Sequence, residues 1–394
     1  MKIIYASTTP LTKNDKKIYF VDFFYTHAYD VEYWDFSALC YPGVIFDNVV
    51  NESYVMKITA LTQLKNRLKD IDVKRTIFFS KLSHKTIEGR IMYILSQYDC
   101  RLGVFVRSRP MLTITSPATT HNILKSIYNK LRNPQRILRS IEARLSFLYK
   151  KLHLIKDFEI VVYAGEDAKN TIHPVPQYQI SINHWDYDDF LTTDDESCLK
   201  ELEYKTKQYY IFLDNYMPYN PDFIVRNEPL IDAKKYYNAL NYFFVRLEKL
   251  LNIEVIIAVH PKSKYATNPF ENRTMIQGDT KKLIRYSQGI LTHYSTAANF
   301  AVLYNKPIIF VYTNEIASFY QNSYYQWIIY YSKLLDSQCI NIENDDTIGI
   351  PTINKEKYDK FVLTYLTSTI SSSKKSEEWL DIFFQKLINE EKNI

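Results

Sequence analysis

Apolar positions recur along the chain in two rhythms. Short β-branched and aromatic runs predict strands: VEYWDF (31–36), RTIFFS (75–80), RLGVFVRS (101–108), FEIVVYAG (158–165) and YQISIN (178–183). YYIFLDN (209–215), EVIIAVH (254–260), GILTHYS (289–295), PIIFVYT (307–313) and QCINIEN (338–344) follow. Between several of them the spacing is helical: Tyr237, Leu240, Phe244, Leu247 and Leu251 advance by threes and fours. Such alternation predicts an α/β protein with parallel sheets and crossover helices.

The second half is the more regular. Strand 209–215, helix 233–251, strand 254–260, helix 280–287, strand 289–295, helix 296–304 and strand 307–313 predict one doubly wound domain. The expected division is a first α/β domain over 1–205, a second over 206–370, and a final helix over 371–394. Segment 191–206 is polar enough to read as the linker, and STISSSKKS (368–376) reads as a polar break. The last helix carries Trp379, Leu380, Phe383, Phe384 and Leu387 on one face, so it should dock back on the body.

Composition narrows the class. The 394 residues are 46% hydrophobic and 24% charged, which excludes a disordered chain. Cys40, Cys100, Cys198 and Cys339 lie far apart with no CxxC spacing, so neither a zinc site nor a disulfide framework is expected. No apolar run reaches the length of a membrane span, and the start MKIIYASTTP lacks the apolar core of a leader. The expectation is a cytoplasmic protein. The 34 tyrosines and seven glycines are ascribed to genomic base composition.

Charge changes the picture at one place. Asn133-Pro134 reads as an N-cap with Pro at the first helical position. Leu138, Ile141, Leu145, Leu148, Leu152 and Ile155 form an apolar stripe over helix 134–156, with Arg136, Arg139, Arg144, Lys150 and Lys151 interleaved. Residues 125–156 hold nine basic side chains against Glu142 alone, a local +8 in a chain of net +5. Two readings stay open: peripheral contact with an anionic membrane or acidic glycan, or a core helix with a solvated basic face. No aromatic-plus-basic module points to nucleic acid.

The candidate chemistry lies in 254–313. An apolar strand delivers His260 and Pro261 at its carboxyl end, where open α/β sheets bind ligands. His260 there either holds a phosphate and donates a proton, or makes a structural hydrogen bond. The next strand delivers Tyr294, Ser295 and Thr296 to the equivalent place, with Thr296 opening a helix. Hydroxyls at a helix start suit a phosphate, and equally a plain cap. Gly278, Asp279 and Thr280 precede another helix, as caps or as contacts to a ribose or base.

The order HP, GDTKKLI, a strand ending in HYST, a helix and KPIIF resembles the donor domain of GT-B glycosyltransferases. More narrowly it resembles the sialyltransferase-like enzymes of bacterial capsule and O-antigen (lipopolysaccharide) synthesis. The resemblance covers 205–313 well and the first 190 residues loosely, through VEYWDFS and VVYAGEDA. It implies two Rossmann-like domains facing a central cleft. It also implies a CMP-linked nonulosonic donor held by His260, Pro261, Ser295 and Thr296 and a bacterial surface glycan or glycolipid acceptor; Lys262 could help stabilise the phosphate, no metal is implied, and the basic helix hints at the inner membrane face. The acidic motif of such enzymes has only an inexact counterpart, Gly165-Glu166-Asp167, which lacks the following Gly. Glu166, Asp167 and Asp214 are therefore the candidates for the base. A UDP- or GDP-sugar transferase, a CDP-polyol phosphotransferase and a non-catalytic glycan-binding protein are the alternatives on the same fold.

Overall fold

The computed structural model describes residues 1–27, 29–108, 134–192, 207–220, 223, 228–321, 323–345 and 347–392. They fall into two compact units, each a parallel sheet flanked by helices. The first unit takes Met1–Ser108, 134–185 and 367–392; the second takes 186–366.

The first unit is a seven-stranded sheet in the order β3-β2-β1-β4-β5-β6-β7. Its strands are β1 (Lys2–Ser7), β2 (Asp30–Asp35), β3 (Val55–Lys57), β4 (Thr76–Ser80), β5 (Arg101–Arg107), β6 (Ile160–Ala164) and β7 (Tyr178–Ile182). β1 lies between β2 and β4, so the strand order reverses beside it. The sequence reading did not include this strand. Its side chains alternate between two cores: Ile3 and Tyr5 join Ile77 and Phe79, while Ile4 and Ala6 join Trp34 and Phe78. A strand covered on both faces reads as a bare apolar run without polar alternation, and six residues of it give little signal.

The final helix Ser376–Lys392 packs into the first of these cores through Leu380, Phe384 and Leu387. The segment before it is no polar break. Ser368, Ser371 and Ser376 are buried and hydrogen-bonded. Ser181 Oγ and Ser368 Oγ are 2.6 Å apart, Ser371 Oγ donates to the Ile182 carbonyl, and Ser376 Oγ accepts from the Asn183 N–H. Short hydroxyl side chains are tolerated inside when each finds a partner, and here they tie the returning chain to the end of β7.

The second unit is a six-stranded sheet ordered β10-β9-β8-β11-β12-β13. Its strands are β8 (Tyr209–Leu213), β9 (Glu254–Ala258), β10 (Met275–Ile276), β11 (Gly289–Thr292), β12 (Ile308–Tyr312) and β13 (Gln338–Asn341). Helix Ala233–Leu251 starts where Asp232 accepts from the Lys235 N–H and stops at Asn252, in the left-handed region at φ 52°. Its spaced residues Tyr237, Leu240, Phe244 and Leu247 are buried, as the periodicity predicts.

Two expectations on organisation change. The second unit begins at 186 rather than 206, because helix Trp185–Leu191 is tied to it: Asn299 Nδ2 donates to Asp186 Oδ2 and Lys281 Nζ to the Asp189 carbonyl. Residues 193–206, most of the expected linker, lie outside the described residues, as do Cys198 and the Asn133 cap. The basic helix Pro134–Lys151 packs on helix Thr86–Gln97 through Glu142, Ser146 and Tyr149. Glu142 pairs with Arg90 at 3.4 Å, Ser146 Oγ donates to the Thr86 carbonyl at 2.7 Å, and Tyr149 stacks on Tyr93 at 4.3 Å. Leu145, Leu148 and Leu152 consequently stand exposed.

Candidate functional site

In the second unit the strand order reverses between β8 and β11, and residues following the strand ends gather there. Asp214 follows β8 and is buried. Its Oδ1 accepts from the Tyr216 N–H at 2.8 Å and its Oδ2 from the Tyr265 hydroxyl at 2.8 Å, while the His260 N–H also donates to it. Burial pushes its pKa up against these three donors. The carboxylate thus ties the β8 end to the loop after β9, and it holds Tyr216 in the left-handed region at φ 53°. Asp214 is an organiser of the site. Its oxygens are committed to these donors, which argues against its use as the base.

His260 opens the loop after β9. Its Nδ1 accepts from the Lys262 N–H at 3.1 Å, which places the proton of the neutral ring on Nε2. Its carbonyl accepts from the Ser263 N–H at 2.9 Å and the Ser263 hydroxyl at 2.7 Å. Pro261 and Lys262 are exposed. Gln277 Nε2 donates to the Pro261 carbonyl at 3.0 Å, so the HP loop leans on the segment just ahead of Gly278. Gly278 has φ +108°, a conformation that favours glycine. Asp279 is exposed and makes no side-chain cap to helix Thr280–Tyr286.

The segment after β11 leads into a short helix. Helix Ala298–Leu303 has six residues and begins two positions beyond Thr296. Ser295 Oγ accepts from the Ala297 N–H at 3.3 Å, turned onto its own backbone, and Thr296 is exposed. The Ala298, Asn299 and Phe300 N–H groups donate to the Ser295, Thr296 and Ala297 carbonyls, so consecutive turns from Ser295 run into this helix and Ser295 acts as a plain cap. The Tyr294 carbonyl accepts from Asn215 Nδ2 at 2.7 Å, joining this segment to the residue after Asp214. His293 is structural: Nδ1 donates to the Val311 carbonyl at 2.6 Å and Nε2 accepts from the Tyr236 hydroxyl at 2.7 Å. Complete burial pushes its pKa down to about 4.

Beside this knot lies a cavity of about 520 Å³ that the sequence reading did not anticipate. Tyr216, Tyr219, Tyr237 and Tyr265 line it, with Lys234 and Lys264 among the walls. The Tyr237 hydroxyl donates to that of Tyr265 at 3.2 Å, and Tyr265 donates on to Asp214. Flat aromatic faces beside ammonium groups suit a ligand with a stacking ring and an anionic tail. A usable signal was present: Tyr216, Tyr219 and Tyr265 follow strand ends, where an apolar core role is not required of them.

The structure therefore brings Asp214, His260 and Tyr294 together by direct or single-residue links. Glu166 and Asp167 belong to the first unit, where they begin helix Glu166–Asn170 just after β6, both half-buried. Among the described residues no group of three His, Cys, Asp or Glu side chains is placed to hold a metal, and no helix is long and apolar enough to cross a membrane.

No protein-family model matches the chain, and no curated protein sequence matches it. Solved structures match along most of its length at low identity. The UDP-GlcNAc 2-epimerase from Methanocaldococcus jannaschii is 12% identical over 98% of this chain and 99% of that one, with a TM-score of 0.46. The glycosyltransferase of kitacinnamycin is 8% identical over 98% and 95%, with a TM-score of 0.44. CalG4, the calicheamicin glycosyltransferase, is 8% identical over 86% and 85%, with a TM-score of 0.41. Likeness of this strength says nothing about chemistry.

Proposed function

We propose that the chain is a nucleotide-sugar-dependent glycosyltransferase of the GT-B type, with the nucleotide bound in the second unit. The observation that carries this reading is the Asp214 knot. One buried carboxylate fixes the His260 backbone, the Tyr216 turn and the Tyr265 hydroxyl at the carboxyl ends of β8 and β9, next to a tyrosine-lined cavity. In transfer, the bond from the anomeric carbon to the phosphate oxygen breaks and the acceptor oxygen takes its place. The acceptor proton passes to a general base. Charge grows on the departing phosphate, and the Nε2–H of His260 with the ammonium of Lys264 would stabilise it.

The CMP-linked acidic sugar came with the resemblance through His260, Pro261, Ser295 and Thr296, and the Ser295 hydroxyl accepts from the Ala297 N–H as a cap does. We take a UDP-linked sugar as the donor to test first, with the CMP-, GDP- and CDP-linked donors as competing arms of one assay. The HP-loop geometry sets the decisive variants. In His260→Asn the side-chain oxygen can still accept from the Lys262 N–H, but the donor at the Nε2 position is lost. In His260→Gln the donor is restored. Donor turnover should fall about 10²–10⁴-fold in His260→Asn and recover in part in His260→Gln. Native turnover in His260→Asn would remove His260 from the chemistry, and no turnover with any nucleotide sugar would favour a binding protein.

A further inference from the structure

The carboxyl end of helix Pro134–Lys151 turns Leu145 and Leu148 outward, with Leu152 just beyond it. Glu142, Ser146 and Tyr149 face helix Thr86–Gln97, and a Cβ at Gly89 would collide with the Ser146 side chain, so the two helices meet through small and polar groups. The opposite side carries Arg144, Phe147, Leu148 and Lys151, spaced three and four apart, with Leu152 one turn after Leu148. Phe147 is 64% exposed, Leu152 62% and Leu148 45%. Such side chains on a surface helix mark an interaction face.

We propose that this face is a docking surface for an anionic lipid bilayer. Charge selects the bilayer over a second copy of the chain. Arg144, Lys150 and Lys151 have no ion-pair partner among the described residues, and nine basic residues stand against one acid over 125–156. Two copies meeting here would oppose like charges, whereas an anionic surface neutralises them while Phe147, Leu148 and Leu152 enter the acyl boundary. Lys150 also lines an adjoining cavity of about 580 Å³, with Val104 and Val161 on its apolar wall and His153 and Lys156 beside it. This surface belongs to the first unit, so the inference stands apart from the nucleotide reading.

The test is co-sedimentation of the full chain with phosphatidylcholine vesicles, with and without phosphatidylglycerol. The native protein should bind the anionic vesicles, release them with added salt, and bind pure phosphatidylcholine weakly. Arg144→Glu with Lys151→Glu, and separately Phe147→Ser with Leu148→Ser and Leu152→Ser, should each lower binding by about tenfold or more. All five side chains are exposed, so melting temperature and nucleotide affinity should stay native in both variants. Absence of native binding to anionic vesicles, or native binding by the serine variant, would overturn the proposal. So would a concentration-dependent dimer that the serine substitutions abolish, since that assigns the face to a second copy.

Discussion

At the residue scale, His293 shows how a motif that looks chemical can be architectural. Both ring nitrogens are engaged, Nδ1 as donor to Val311 and Nε2 as acceptor from Tyr236, and the ring is fully buried as the neutral form. In the unfolded chain this imidazole takes a proton below about 6.5. In the folded chain burial holds protonation back to about 4. Between those values the unfolded state binds more protons, so stability is complete above the upper value and is lost as pH falls through the window. The loss is on the order of 3 kcal/mol once the folded group is protonated. His293→Gln should remove this portion: the gap in melting temperature between native and variant should narrow from pH 7 to pH 4. A gap that stays constant would show that the folded imidazole titrates normally.

At the element scale, the basic helix illustrates what periodicity does and does not disclose. Its helical nature was legible from the spacing of Leu138, Ile141, Leu145, Leu148 and Leu152. Which stripe packs was not, because contact distance is set by the smallest side chains facing each other. Gly89 and Ser146 allow the two helices to approach closely, and Leu145, Leu148 and Leu152 are left outside. Gly89→Ala should therefore force the helices apart, break the bond from Ser146 to the Thr86 carbonyl, and cost about 2 kcal/mol by chemical denaturation. Ser146→Gly introduced alongside should recover part of that loss. If Gly89→Ala is neutral, the helix pair is looser than this packing requires. The strand runs and the helix at 233–251 were legible for the converse reason, since their apolar residues do face the cores. β1, short and apolar on both faces, carried no such signature.

At the scale of the whole molecule, two parallel α/β sheets were legible in the alternation of elements. The return of the chain from Thr367 into the first unit was only half legible, because the serines that plug it look like a linker until their partners are known. The candidate site divides in the same way. His260 and Asp214 were named from their places at strand ends, whereas the tyrosine-lined cavity was not. Its walls come from residues far apart in sequence, and abundant tyrosine hides the few that matter. The central claim is that this cavity holds the nucleotide of a sugar donor. Isothermal titration of the full chain with UDP, CMP and GDP tests it most directly, paired with Lys264→Ala. Saturable binding with UDP preferred is expected, with a loss of about ten- to a hundredfold in Lys264→Ala as one charge-assisted contact to phosphate disappears. Failure of every nucleotide to bind, or UDP binding that Lys264→Ala leaves unchanged, would contradict it.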